Sequence, residues 1–179
     1  MICKRLKECL NEELSGTKTK LCYNNAAMCI ESSDRRSEVK CEEKRKKYIL
    51  QNSMKNHVIS YRMDGGIIVL DATVSEGTSK CDYLFVDNAE ESIAILIELK
   101  GVDVAKAIKQ IRGTLDLFKE FFKSFAHVYG RVIVTSSTPN LKASPDYVNL
   151  VNLLKKTYNG NLKIVNQQFV EKDVGLGKE

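Results

Sequence analysis

The chain has no tryptophan, two prolines (Pro139 and Pro145) and two histidines (His57 and His127). It carries no repeat, no low-complexity tract and no Pro-rich linker. No apolar run approaches the roughly 20 residues of a membrane-crossing helix. The six cysteines, Cys3, Cys9, Cys22, Cys29, Cys41 and Cys81, include no CxxC pair, and both histidines lie outside the cysteine-rich first 41 residues. That spacing argues against a zinc module. A disulfide scaffold belongs to secreted chains, and "MICKRLKECLNEEL" mixes acids and bases at helical spacing, unlike a secretory leader. The cysteines therefore read as reduced thiols acting as small hydrophobes. The expected compartment is the cytoplasm, with no membrane partner.

What remains is a chain of 179 residues, long enough for one domain with a substantial core. The net charge is +5. It is unevenly placed: residues 1–62 hold 14 Lys/Arg against 8 Asp/Glu, and residues 63–179 hold 14 against 15. The densest basic run is Lys44, Arg45, Lys46 and Lys47. Such a run suits either a solvated face or a polyanion, because phosphate contacts come mainly from Lys and Arg.

Hydrophobic periodicity predicts the elements. Residues 2–14 read as a helix, and 15–35 are ambiguous. A second helix is expected from Ser37 to Ser53, with Ser37 as its cap. "HVISYRM" reads as a strand, Asp64-Gly65-Gly66 as a turn and "GIIVLDATV" as its hairpin partner. "CDYLFVDN" and "SIAILIELKG" form a further pair of strands. Val104, Ile108, Ile111, Leu115, Phe118, Phe122 and Phe125 step by three and four, predicting one helix over 103–125. A strand at "HVYGRVIVTSS", a helix at "PDYVNLVNLLKKTYNG" and a last strand at "NLKIVNQQFV" complete the order. This is an α/β chain with a central mixed β-sheet flanked by helices. An N-terminal helical extension, 1–36, would precede the main domain, 37–179.

The strand 93–99 ends in charge. Glu98 and Lys100 are two residues apart and so share one face, while Leu99 points to the other. If Asp82 begins the neighbouring strand, two carboxylates and an ammonium converge at one sheet edge. Carboxylate oxygens are the hard ligands that magnesium prefers. The metal would offset their repulsion and polarise a phosphate oxygen, and Lys100 would stabilise developing charge.

Asp82, fifteen intervening residues and then Glu98-Leu99-Lys100 closing an apolar strand resembles the PD-(D/E)xK nuclease superfamily. The resemblance implies a restriction-endonuclease-like core, ordered αβββαβ, from about Ser37 to Ser137. It implies Asp82 and Glu98 as metal ligands, with the Leu99 backbone carbonyl, and Lys100 as catalytic. Gln110, on the helix after the motif strand and beside Ala107 and Thr114, matches a site Gln found in many members. Glu38, Glu42 and Glu43 are candidates for the carboxylate that some members place on the first core helix. Cys81 stands where the family often has proline.

The function these residues imply is hydrolysis of DNA phosphodiesters with Mg²⁺, for which Mn²⁺ would substitute. Lys44–Lys47 would contact backbone phosphates, and cutting two strands would call for a homodimer. Two alternatives stay open: an inactive nuclease-fold module for nucleic-acid binding or assembly, and an RNase of the same fold. Residue by residue, plainer readings also exist. Glu98 and Lys100 would make an ordinary ion pair, Asp82 would start a strand or cap a turn, and Gln110 would merely border the helix stripe; Asp64 and Asp71 could contribute to the site, though Asp64-Gly65-Gly66 is explained as a turn.

Overall fold

The computed structural model describes residues 2–17, 29–66, 74–75, 77–136 and 141–178. Helix α1 spans Ile2–Leu14, followed by strands β1 (Ile30–Asp34), β2 (Glu38–Glu43), β3 (Lys46–Gln51), β4 (His57–Arg62), β5 (Tyr83–Asn88) and β6 (Ile93–Leu99). Then come α2 (Val104–Leu117), a short α3 (Lys119–Phe122), β7 (His127–Val134), α4 (Pro145–Tyr158), β8 (Leu162–Asn166) and β9 (Gln168–Lys172).

The central sheet has six strands in the order β1-β4-β5-β6-β7-β8. β1, β4, β5 and β6 run antiparallel in succession, whereas β6, β7 and β8 are parallel. The parallel pairs are joined by crossovers through α2–α3 and α4, the usual solution for parallel neighbours. Every residue of β6 is buried, as an apolar strand covered on both faces must be.

Strand alternation divides the interior in two. Ala94 and Leu96 face a core built with Leu6, Cys9 and Leu10 of α1, Ile108 and Ile111 of α2, Phe121 and Phe122 of α3, and Leu150 and Leu154 of α4. Ile93, Ile95, Ile97 and Leu99 face a second core built with Val39, Cys41, Tyr48 and Leu50. The sheet is thus mixed and flanked by helices, but on one face only. Its other face carries a second sheet, β2-β3-β9. Cys9, Cys29, Cys41 and Cys81 are buried, in keeping with their reading as small hydrophobes. Among the described residues no helix is long and apolar enough to cross a membrane.

Three expectations are corrected. The helix expected over Ser37–Ser53 is the hairpin β2–β3, so the basic run lies at a turn and not on a helix. Val39 and Cys41, then Lys46, Tyr48 and Leu50, are buried at every second position. That period of two prevails over the helix preference of the Glu and Lys residues between them. Lys44 and Arg45 make the connection with φ of 45° and 69°, the left-handed pair that a tight hairpin requires. The helix expected over 103–125 breaks at Phe118, whose φ/ψ of −111°/27° ends α2. The last strand is two strands: Gln167, at φ 62°, turns the chain from β8 in one sheet to β9 in the other.

The expected boundary at residue 36 falls between β1 and β2. α1 packs into the main core and β1 pairs with β4. β4 takes β1 on one side and β5 on the other. Of the expected partner strand "GIIVLDATV", all but its first and last residues, Asp71 included, fall in 67–73, outside the described residues.

Candidate active site

Asp82 and Glu98 meet because of register. The antiparallel ladder pairs Tyr83 with Ile97, so one step further Asp82 stands opposite Glu98. Asp82 Oδ2 accepts the backbone N–H of Leu99 at 2.8 Å. Lys100 Nζ lies 3.9 Å from Glu98 Oε1. Glu98 is buried, and its Oε2 has no hydrogen-bond partner.

Burial pushes the Glu98 carboxyl up to about 9, and the Asp82 charge adds to the rise. Lys100 and the nearby backbone N–H of Asp82 oppose it. Burial also raises Asp82, against the Leu99 hydrogen bond; the charges of Glu43 and Asp64 add to the rise, and Lys100 opposes it. Two desolvated carboxylates with too little positive charge are a site that favours a proton or a cation.

The segment before Asp82 is clamped by α2. Gln110 Nε2 donates to the Lys80 carbonyl at 3.0 Å, and the Cys81 N–H donates to Thr114 Oγ1 at 2.8 Å. Between them on the helix face is Gly113, where a Cβ would stand 2.3 Å from the Ser79 carbonyl oxygen. The helix can approach this closely only because that position has no side chain. Gln110 Oε1 is buried without a partner. Asp103 caps α2 by accepting the Lys106 N–H, which fixes where the helix begins after the motif strand.

The structure therefore brings together Asp82, Glu98, Leu99 and Lys100, with Gln110 holding the chain just before them. It adds Thr114, to which sequence reasoning assigned no place, and it brings to Asp82 the charges of Glu43, one of the three carboxylate candidates, and of Asp64, read as a turn residue. Lys80 Nζ pairs with Asp64 at 3.5 Å. Glu43 ends β2, so the β2–β3 turn lies on the Asp82 side. Lys44 and Arg45 are exposed at that turn, Lys46 is buried, and Lys47 pairs with Glu42 at 3.3 Å. Glu38 and Glu42 lie on β2 and not on a helix.

Among the described residues no group of three or more His, Cys, Asp or Glu could hold a metal ion. A divalent ion here would rest on two carboxylates, a backbone carbonyl and water. Magnesium usually keeps several waters and takes only one or two carboxylates, so this donor set is compatible with it. The partnerless Glu98 Oε2 and the crowding of Asp82 and Glu98 fit such an ion. No family model, curated protein or solved structure matches the chain.

Proposed function

We propose that the protein is a metal-dependent nuclease of the PD-(D/E)xK type that hydrolyses DNA phosphodiesters. The observation that carries this reading is the register that sets Asp82 beside Glu98 and Lys100 at the end of a buried strand. The element order supports it: with β1, β2 and β3 intervening after α1, the antiparallel strands β4, β5 and β6, then α2 and a parallel β7 are compatible with αβββαβ, with α1 in place of the helix expected near residue 37.

Asp82, Glu98 and the Leu99 carbonyl are the groups to hold Mg²⁺ or Mn²⁺. Such an ion supplies Lewis acidity toward a phosphate oxygen and a water. In the reaction the oxygen of water bonds to phosphorus, the bond to the leaving oxygen breaks, and that oxygen takes a proton. Lys100 donates hydrogen bonds to the attacking water or to the phosphate oxygen that gains charge. Leu99 N–H fixes the Asp82 carboxylate, and Gln110 and Thr114 fix the chain that carries it. Lys44 and Arg45 at the β2–β3 turn would contact backbone phosphates, and a homodimer would supply the second site for double-strand cutting.

The test is cleavage of linear, circular, single-stranded and branched DNA, and of RNA, with Mg²⁺ or Mn²⁺ against EDTA. DNA cutting that requires metal, Asp82 and Lys100 supports the reading. Preference for RNA would make the enzyme an RNase. Binding without cutting would favour an inactive nucleic-acid-binding module.

A further inference from the structure

β5 carries a second carboxylate at its other end. Asp87 lies five residues from Asp82, about 17 Å along the strand, and on the opposite face. It is wholly buried, and neither of its oxygens has a hydrogen bond of ordinary geometry. It lines a cavity of about 710 Å³ that excludes Asp82 and Glu98.

The cavity is acidic. Asp87, Glu90, Glu91 and Asp173 line it, against Lys178 and His127. His127 is already engaged, by Glu91 at 3.2 Å and the Asn159 carbonyl at 2.8 Å. Burial raises the Asp87 carboxyl to about 6; the Asn56 side chain favours its charged form and Asp173 disfavours it. Asp173 is mostly buried and accepts the Met54 and Val174 N–H groups. Met54 and Val174, 65% and 52% exposed, give the cavity an apolar border.

We infer that this cavity binds an organic cation, an alkylammonium or guanidinium group on an apolar stem, with Asp87 as its counter-ion. A buried carboxylate whose charge meets only the neutral Asn56 side chain gains most from a charged donor. The apolar border suits the methylene stem that carries such a group. A bare metal ion fits poorly: no group of three or more metal-ligating side chains occurs here among the described residues, and both Asp173 oxygens already serve backbone donors. The source could be a free amine or a Lys or Arg side chain of a polypeptide. The site is independent of the nuclease reading.

The experiment is titration of the protein at pH 7.5, followed by amide chemical shifts. The probes are agmatine, a blocked Gly-Arg-Gly tripeptide, neutral 1-butanol and Mg²⁺. The inference expects saturable shifts at Met54, Asn56 and Val174 with a cationic probe and none with butanol. Tighter binding of agmatine would indicate a free amine, and tighter binding of the tripeptide a polypeptide source; either supports the cation site. Asp87→Asn should weaken binding at least about tenfold, as loss of a charged partner does. Met54→Lys, at an exposed position that leaves the fold intact, should compete with the probe and weaken binding too. No saturable binding of either cation, binding unchanged in both variants, or Mg²⁺ shifting the same residues in preference would overturn it.

Discussion

Asp82 is tied through its side chain to the backbone of Leu99, 2.8 Å from Oδ2 to N. One carboxylate is thus anchored on the strand that bears the other, Glu98. The separation of the two cannot change without breaking the end of the β5–β6 ladder. A site for phosphoryl chemistry needs such fixed charges more than it needs a deep pocket, since positioning and electrostatics do most of the work.

The first prediction concerns Lys100 and Asp82. Lys100→Ala should lower the rate of DNA cleavage by about 10²-fold or more, the usual cost of losing one charge-stabilising donor. DNA affinity measured in Ca²⁺ should change little. Asp82→Asn should do the same and should also raise the Mg²⁺ concentration needed for half-maximal rate. Single-turnover cleavage beside filter binding separates these effects; a parallel loss of binding and rate would contradict them.

The second concerns the clamp on the approach to Asp82. Thr114→Val removes the acceptor for the buried Cys81 N–H. Leaving that donor unpaired should cost about 1–3 kcal/mol in chemical denaturation. Thr114→Ser keeps the hydroxyl and should restore most of the loss. Gly113→Ala forces a Cβ against the Ser79 carbonyl and should lower cleavage more than it lowers DNA binding.

Much of this site was legible before the fold was. Alternation along β6 places Glu98 and Lys100 on one face, and the short 82–98 spacing suggests neighbouring strands. The long apolar β6 and the striped α2 were legible for the same reason: each carries a strong single period. The β2–β3 hairpin was not, because Glu, Lys and Arg favour helices and its turn uses Lys44 and Arg45 where Gly or Asn would signal a reversal. Glu43 and Asp64 come near Asp82 only through tertiary packing that no local spacing encodes. The parallel pairing of β3 with β9 joins residues more than a hundred positions apart and leaves no local trace. Nothing in the local sequence marks Asp87, and only its burial in the fold makes it unusual.

The exposed turn yields a third prediction. Lys44→Ala with Arg45→Ala should weaken binding to all DNA sequences alike and reduce the salt dependence of affinity by about one to two counterions. Lys46→Ala, at a buried position, should instead affect stability. Affinity measured across a salt series distinguishes the two. An unchanged slope in the double variant would place the phosphate contacts elsewhere.

Asp87 gives stability a pH dependence of unusual sign. Its carboxyl titrates near 6 in the folded chain and at an ordinary 3.8 when unfolded. Between those values the folded state holds the extra proton, so Asp87 costs nothing below about pH 4, destabilises progressively as pH rises from there to about 6, and adds no further loss above that. That difference corresponds to about 1–3 kcal/mol lost in the charged form. Asp87→Asn should therefore be more stable than the parent above pH 6.5 and nearly equal to it below pH 4. Urea denaturation across that range checks it; a variant less stable at every pH would contradict a destabilising burial of this carboxylate.

The last prediction concerns what joins the two sheets. Arg131 of β7 is wholly buried, and its Nε donates to Glu171 of β9 at 2.5 Å. The same guanidinium donates to Asn161 Oδ1 at 2.8 Å and to the Leu176 carbonyl at 3.2 Å, while Tyr48 from β3 donates to Glu171 at 2.8 Å. Burying two charges costs several kcal/mol each, repaid only while both are present and their donors satisfied. Glu171→Ala should thus cost about 3–5 kcal/mol by leaving Arg131 charged and unmatched. Arg131→Met combined with Glu171→Leu removes both charges and should recover most of that loss. The double-mutant cycle by chemical denaturation measures the coupling; near-additive single losses would mean that the pair does not hold the small sheet to the large one. If it does, Glu171→Ala should also loosen the β2–β3 turn that lies on the Asp82 side, and DNA affinity should fall together with stability.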